Sequence, residues 1–481
     1  MTVPDENTES GSPGNEWARI FRGRLGIYTL MLNLGVVLCA LDVFVVVTIL
    51  PAVVEDIGGT GLYSWTIMLF MVGSIIGTSG TAPSCDMFGR RNAYVVAGLV
   101  FMIGNLGAAL APSMGILLAW RTVQGIGSGL IIAQSYGLVG EMFPPELRPR
   151  ILAIVSSSWG VAVVLGPVFG GVFAEIEYWP GAFWTMVPLS LIFAWLALKH
   201  VQTSAGHGSV SRLPIYRLAA MAAAIMCAGL TSQIDHGGAR LGLLVAAVGL
   251  IVYAVRRDAK AENRMFPTHT FAINTVIGAA HWGLIFATAV FGISTIYATF
   301  FLQVLHGQTP IVAGYISGLM SLSWTSAALV VAGFKGRTVW FSVLFGSMLV
   351  LAGSLGLMTF DVSGPVIAIV VCIAVIGIGI GAQYNLFIAL SIEAAQPGEE
   401  TLAASSVQII RTLGIAFASA GAGLVANSAG MADNAPVETV AKAIDWVYRA
   451  NLLVAILGVL AAVVFFIAGR PARRTEEEIK C

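Results

Sequence analysis

Long apolar runs alternate with short polar segments along the whole chain. Fourteen of these runs reach spanning or near-spanning length, at 25 to 50, 62 to 82, 93 to 111, 115 to 140, 150 to 174, 182 to 199, 213 to 231, 239 to 255, 272 to 302, 311 to 333, 338 to 359, 364 to 390, 401 to 427 and 447 to 469. A helix needs about 20 predominantly apolar residues to cross a bilayer. The pattern therefore predicts an all-α polytopic membrane protein with fourteen transmembrane helices.

The polar segments between the runs carry an uneven charge. With the amino terminus inside, twenty of the 25 Lys and Arg residues fall in cytoplasmic segments, and only Arg240, Lys442 and Arg449 fall outside. Such a bias sets orientation, and it predicts that both termini are cytoplasmic in a bacterial-type plasma (inner) membrane. The segment Gln396 to Thr401 is the exception, since it lacks a basic residue and carries Glu399 and Glu400.

Composition agrees with this reading and narrows the function. Hydrophobic residues make up 57% of the chain, charged residues 10%, and mean hydropathy is +0.87. A formal net charge of +0 argues against a nucleic-acid partner. The five cysteines, Cys39, Cys85, Cys227, Cys372 and Cys481, suggest neither a disulfide framework nor a metal site. The first two dozen residues read as a polar tail with a basic flank and no cleavable signal. No nucleotide-binding loop or nucleophile constellation points to an enzyme. No cofactor is expected, which leaves an ion gradient, here the proton gradient, as the energy source.

Against this apolar background Asp42 stands out, because hydrocarbon cannot solvate a carboxylate and an ionisable group there is paired, hydrated or functional. Arg121, followed by Gln124 on the same helix face, is the expected partner. At about 1.5 Å per residue the two lie at similar depth, roughly 10 to 14 Å below the outer surface. The pair could carry a coupling proton or could be a permanent structural ion pair.

Two basic stretches, Lys199 to Arg217 and Arg256 to Thr270, divide the chain. The expected plan is a cytoplasmic tail (1–24), a six-helix bundle (25–200), a linker with two further helices (201–264), a second six-helix bundle (265–470) and a short tail (471–481). Ser157-Ser158 precedes Leu165-Gly166 as Ser405-Ser406 precedes Leu413-Gly414, a weak echo between the fifth and thirteenth spans. Repeated halves around a midplane site are a common transporter plan.

Several motifs in their proper spans resemble the major facilitator superfamily, and within it the fourteen-helix drug:proton antiporter family. Asp86-Met87-Phe88-Gly89-Arg90-Arg91 is similar to the signature loop after the second helix, and Leu41-Asp42 to Leu50-Pro51 to the first-helix motif. Arg121, Gln124 and Gly125 match the fourth-helix motif, Gly166-Pro167 with Gly170-Gly171 the fifth-helix antiporter motif, and Arg411-Thr412-Leu413-Gly414 the thirteenth-helix motif. The resemblance implies the major facilitator fold, with two six-helix bundles plus two linker helices, a central cavity and proton-driven export.

In that setting Asp86, Gly89, Arg90 and Arg91 would form a cytoplasmic gate, or would set topology by charge alone. Gly166 and Pro167 would bend the fifth helix or seal the bundle interface, or would simply pack; Gly125, Gly127 and Gly129 read as packing positions. Arg411 lies near the midplane, where helix carbonyls could hold it or a substrate anion could bind it. His281 is a hydrogen-bonded interior residue or a proton relay. Trp282, Tyr297, Trp324 and Tyr384, with Gln303, Gln383, Asn385 and Gln408, are candidates for a mixed aromatic and polar cavity, with ordinary packing as the alternative.

The expected partners are a small-molecule substrate, protons and the lipid bilayer, with the chain monomeric. The spans offer few carboxylates beyond Asp42, so a neutral, amphipathic, weakly cationic or anionic substrate fits better than a dication. The leading reading is a proton-coupled exporter of drugs or amphipathic small molecules by alternating access. The alternatives are a dedicated metabolite exporter or importer on the same fold and, remotely, a non-transporting membrane receptor or enzyme.

Overall fold

The computed structural model describes residues 19–144, 147–202, 214–334 and 336–469. Among these, fourteen helices are long and apolar enough to span a membrane. In chain order they are α1 Gly23–Ile57, α2 Trp65–Ser79, α3 Arg90–Ala109, α4 Met114–Met142, α5 Arg148–Glu175, α6 Pro180–His200, α7 Ile215–Leu230, α8 Gly237–Asp258, α9 Val276–Val304, α10 Pro310–Val331, α11 Arg337–Phe360, α12 Val366–Glu393, α13 Glu400–Ser428 and α14 Val437–Ala468. Single 3₁₀ turns at Thr60–Leu62 and Thr231–Gln233 extend α2 and α7.

Two stretches differ from the apolar-run reading. The signature segment after α2 is mostly helical: a short helix, Thr81–Phe88, follows a break at Gly80. Pro83 has no N–H to offer the Ser79 carbonyl, which removes a rung of the helical ladder at this break. At the other end of the chain, α14 begins at Val437 rather than near 447. Its first turns are amphipathic, burying Val440, Ala443, Ile444, Val447 and Tyr448 while Lys442 and Arg449 face outward. Burial at helical spacing makes these turns a helix although they are not an apolar run.

The packing order occurs twice. In the first six helices α2 lies on α4, α4 and α6 lie on α3, and α5 lies on α1; in the last six α10 lies on α12, α12 and α14 lie on α11, and α13 lies on α9. Matching glycines set both close approaches. A Cβ on Gly125 would sit 2.1 Å from the Phe70 carbonyl oxygen, and one on Gly377 would sit 2.2 Å from that of Met320. Gly129 and Gly381 repeat the arrangement one turn along, against Ser74 and Trp324. Small residues that let backbones touch are the usual means of helix association where lipid removes the hydrophobic drive. Gly166 rests on Phe44 of α1 and Gly414 on Thr288 of α9, so the two Leu-Gly steps occupy matching places.

The halves meet along α5 with α10 and α2 with α13, while α7 and α8 pack together beside α2 and α13. Hydrogen bonds between the halves gather at one end of the bundle, near Asp433. Its carboxylate accepts from the Gly59 and Thr60 N–H groups at 2.9 and 2.7 Å, and Asn427 Nδ2 donates to the Gly61 carbonyl at 2.7 Å. The opposite end carries Glu399, which accepts from Thr268 and pairs with Arg264 of the segment entering α9. A buried Arg217–Asp258 pair ties α7 to α8, and Asp258 also accepts from the Met265 and Phe266 N–H groups.

Candidate functional site

Asp42 and Arg121 meet inside the first six-helix bundle. Arg121 Nη1 donates to Asp42 Oδ2 at 2.6 Å and to Gln124 Oε1 at 2.9 Å, and Gln124 Nε2 donates to Asp42 Oδ1 at 3.3 Å. The three side chains are fully buried, and the guanidinium also lies 4.4 Å from the centre of the Phe70 ring. Arg121 Nη2 has no partner among the described residues. The triangle links α1 to α4, Arg121 Nε reaches on to the Thr66 carbonyl of α2 at 3.5 Å, and Nη2 is left as the spare donor nitrogen. Protonation of Asp42 would remove the charge that neutralises Arg121 and one of its two acceptor oxygens, while Gln124 Oε1 would still accept from Arg121.

The same helix that carries Asp42 reaches the other half six residues further along. From α1, the Thr48 carbonyl accepts from Gln303 Nε2 of α9 at 3.2 Å. Pro167 of α5 and Thr48 together face Gly314 of α10, where a Cβ would meet Pro167 Cβ at 2.8 Å; Gly171 faces Ile311 in the same way. Gly166 and Gly170 instead face α1. The fifth-helix motif is thus divided in two, with Gly166 and Gly170 fixing α5 on its own half and Pro167 and Gly171 fixing it on the other. Tyr297 is buried near the same end, 5.9 Å from Tyr63 between ring centres.

Arg411 occupies a different part of the interface. Its guanidinium carbon lies 4.8 Å from the centre of the Trp159 ring, reaching from α13 to α5 of the other half. It remains partly exposed and makes no ion pair or hydrogen bond among the described residues. Tyr136 of α4 and Tyr384 of α12 lie in its electrostatic vicinity. Tyr384 in turn packs edge-on against Trp324 of α10 at 4.8 Å. Tyr136, Asn385 and Ser405 are exposed on the Glu399 side of the bundle, and Gln408 is half-buried three residues before Arg411.

Other candidates point elsewhere. Trp282 stacks on Phe286, donates to the Phe271 carbonyl at 3.3 Å and lines an apolar groove of about 630 Å³ shared with α7 and α8, away from the space between the halves. Gln383 accepts from the Ser347 hydroxyl inside the second bundle. His281 is fully buried, and neither ring nitrogen has a hydrogen-bond partner among the described residues. In the signature segment Gly89 turns the chain from the short helix into α3 with φ +72°, a conformation that suits glycine. Asp86, Arg90 and Arg91 are all half-buried there, while Lys335, the first residue of the corresponding turn in the second half, lies outside the described residues.

The sequence profile described as Major Facilitator Superfamily matches residues 32–419. The chain belongs to the major facilitator superfamily. It is similar to a "probable multidrug-efflux transporter" of Mycobacterium tuberculosis, 30% identical over 439 residues that cover 88% of this chain and 92% of the relative. It is also similar to "multidrug resistance protein 3" of Bacillus subtilis, 24% identical with 80% and 76% covered. Among solved structures, a bacterial homologue of the human lysosomal transporter Spinster shares the fold, with a TM-score of 0.63, 14% identity and 96% and 98% covered.

As a major facilitator, this chain is a membrane transporter of small molecules. The family motifs marked Arg411 in the sequence, but not Trp159, which stacks on it, or Tyr136, which lies in its vicinity. Trp159 sits directly after the Ser157-Ser158 step, and Tyr136 lies three turns beyond Gln124; each is an aromatic residue next to small or polar ones, a weak signal without the helix rotation that aims it.

Proposed function

We propose that this transporter exports drugs or other amphipathic small molecules in exchange for protons, by alternating access between two six-helix bundles. The observation that carries the reading is the buried Asp42–Arg121–Gln124 triangle, on the same helix whose Thr48 carbonyl bonds to the other half. Asp42 is the proton carrier in this account. When charged, it holds Arg121 and Gln124 and ties α1 to α4; when protonated, it no longer neutralises Arg121 and the tie loosens. Breaking a buried pair on one side costs about 3–5 kcal/mol, enough to shift a two-state equilibrium by more than two orders of magnitude.

The Glu399 end faces the cytoplasm in this account, in line with the basic residues that gather there, and the Asp433 end faces outward. The contacts at Asp433, Asn427 and Pro167 then close the outer side, and Asp42, 1% exposed, meets an outside proton only when those contacts part. Asp86, Gly89, Arg90 and Arg91 act as the inner gate when the halves rock the other way. No cofactor takes part, because the proton gradient supplies the energy. Support for a broad range of exported compounds comes from the efflux names of the relatives.

The test is collapse of a preset pH gradient in inverted vesicles carrying the intact protein or Asp42→Asn, with cationic, neutral and anionic compounds added in turn. Compound-dependent proton release that disappears in the variant supports antiport through Asp42. Release that is unchanged in the variant moves the proton site elsewhere, and no release with any compound favours a narrow metabolite carrier.

A further inference from the structure

Arg411 is a cation in the middle of a spanning helix that makes no ion pair or hydrogen bond among the described residues. The other arginine deep within the spans, Arg121, has a carboxylate at 2.6 Å and a glutamine amide at 2.9 Å. Arg411 has neither, and no helix carbonyl accepts from it among the described residues. A structural role for such a group would show as hydrogen bonds, because a charge at this depth is costly when unpaired. Instead the guanidinium stays partly exposed and uses one face to stack on Trp159 of the opposite half. Cation–π stacking of this kind orients an arginine and leaves its N–H edge free to receive an anion.

The surroundings define the rest of the ligand. Tyr384 and Trp324 meet edge-on at 4.8 Å on the second half, and Tyr136 stands exposed on the first. With Trp159 of the first half stacked on the guanidinium and Tyr384 of the second half in its electrostatic vicinity, the cation has an aromatic plane on either side of the interface, a place for a flat apolar body carrying a single negative charge. An ordinary multidrug cation would instead meet like charge at Arg411.

We propose that Arg411 is the specificity-determining residue of the substrate site and that the substrates are aromatic monoanions, with a carboxylate or similar group on the guanidinium and the ring system against Trp159 and Tyr384. This rests on the transport reading above and narrows its substrate class. It is independent of the proton step, because Arg411 and Asp42 lie in different halves and share no described contact. Exchange of one proton inward for one monoanion outward moves two charges per cycle in the same electrical sense, so the membrane potential drives export of these compounds more strongly than export of neutral ones.

The experiment is equilibrium binding to the purified full-length protein in lipid nanodiscs, using a panel of aromatic carboxylates, each paired with its neutral amide; 2-naphthoate and 2-naphthamide are the first pair. At least one carboxylate is expected to bind about ten-fold or more tightly than its amide. Arg411→Gln should remove that preference, bringing carboxylate affinity down to or below that of the paired amide, while the size-exclusion profile stays native, and Arg411→Lys should restore part of it. Trp159→Leu should weaken carboxylate and amide alike. The preference should persist in Asp42→Asn, which separates this claim from the proton claim. If no carboxylate binds better than its amide, or if the preference survives in Arg411→Gln, the assignment is wrong.

Discussion

Asp42 of α1 and Arg121 of α4 form an ion pair at 2.6 Å with both side chains buried, and Gln124 bridges the two. Removing either charge alone leaves the other stranded in a low-dielectric interior. Asp42→Ala or Arg121→Ala is expected to lower stability by about 3–5 kcal/mol, whereas the double variant Asp42→Ala with Arg121→Ala should lose clearly less than the sum of the two. Thermal unfolding of the detergent-solubilised proteins checks this. Additive losses would mean that the pair does not act as a unit.

The glycine step at Gly125 and its counterpart at Gly377 predict a symmetrical sensitivity. Added side chains there would run into backbone, at 2.1 Å from Phe70 O and 2.2 Å from Met320 O, and backbone cannot yield as a flexible side chain does. Gly125→Val and Gly377→Val should both abolish properly folded protein in the membrane, read as loss of a monodisperse peak in fluorescence size exclusion. Gly421→Val, at a position with open space around it, should be tolerated.

At the closed end, Asp433 accepts from the Gly59 and Thr60 N–H groups, and those bonds hold its carboxyl below the ordinary range. A depressed folded value means that the contact is fully formed above the ordinary aspartate pKa and is lost as the pH falls through the folded one. The gate should therefore be insensitive between pH 5 and 8. Asp433→Ala should open it at neutral pH, which increased labelling of Thr60→Cys by a membrane-impermeant maleimide would register. Equal labelling with and without Asp433 would remove this contact from the gate.

Asp361, just past the end of α11, behaves in the opposite sense. Burial pushes its carboxyl up to about 7, assisted by Asp445 and opposed by the Val362 N–H. A raised folded value makes its contribution complete below the ordinary aspartate pKa and progressively lost as the pH rises to about 7. The melting temperature of the native protein should accordingly fall between pH 5 and 7 by more than that of Asp361→Asn. Parallel curves for the two proteins would show that the group does not titrate in this range.

The fourteen spans were legible in the sequence because a bilayer demands long apolar runs, and Asp42 with Arg121 was legible because depth along a helix follows from residue count. Rotation about the helix axis was not. Trp282 and Trp324 look alike in sequence, yet Trp282 turns toward α8 while Trp324 meets Tyr384 near the other half. The same limit hid Trp159 and Tyr136, whose approach to Arg411 depends on how two halves come together. Hydropathy also hid the first turns of α14, where burial follows helical spacing within a mixed polar segment. The recurrence of Gly125, Gly127 and Gly129 at Gly377, Gly379 and Gly381 was present in the sequence, and it marks the repeat more firmly than the Ser-Ser echo does.

The central claim is that Asp42 carries the proton that drives transport, and comparing exchange with accumulation in proteoliposomes tests it most directly. The compound giving the largest response in the vesicle screen is loaded on both sides to measure counterflow, and then on one side with an imposed pH gradient to measure uphill movement. Asp42→Asn should keep counterflow, since the substrate site and the rocking of the halves remain, and should lose accumulation altogether. Uphill movement that persists in Asp42→Asn would contradict the account.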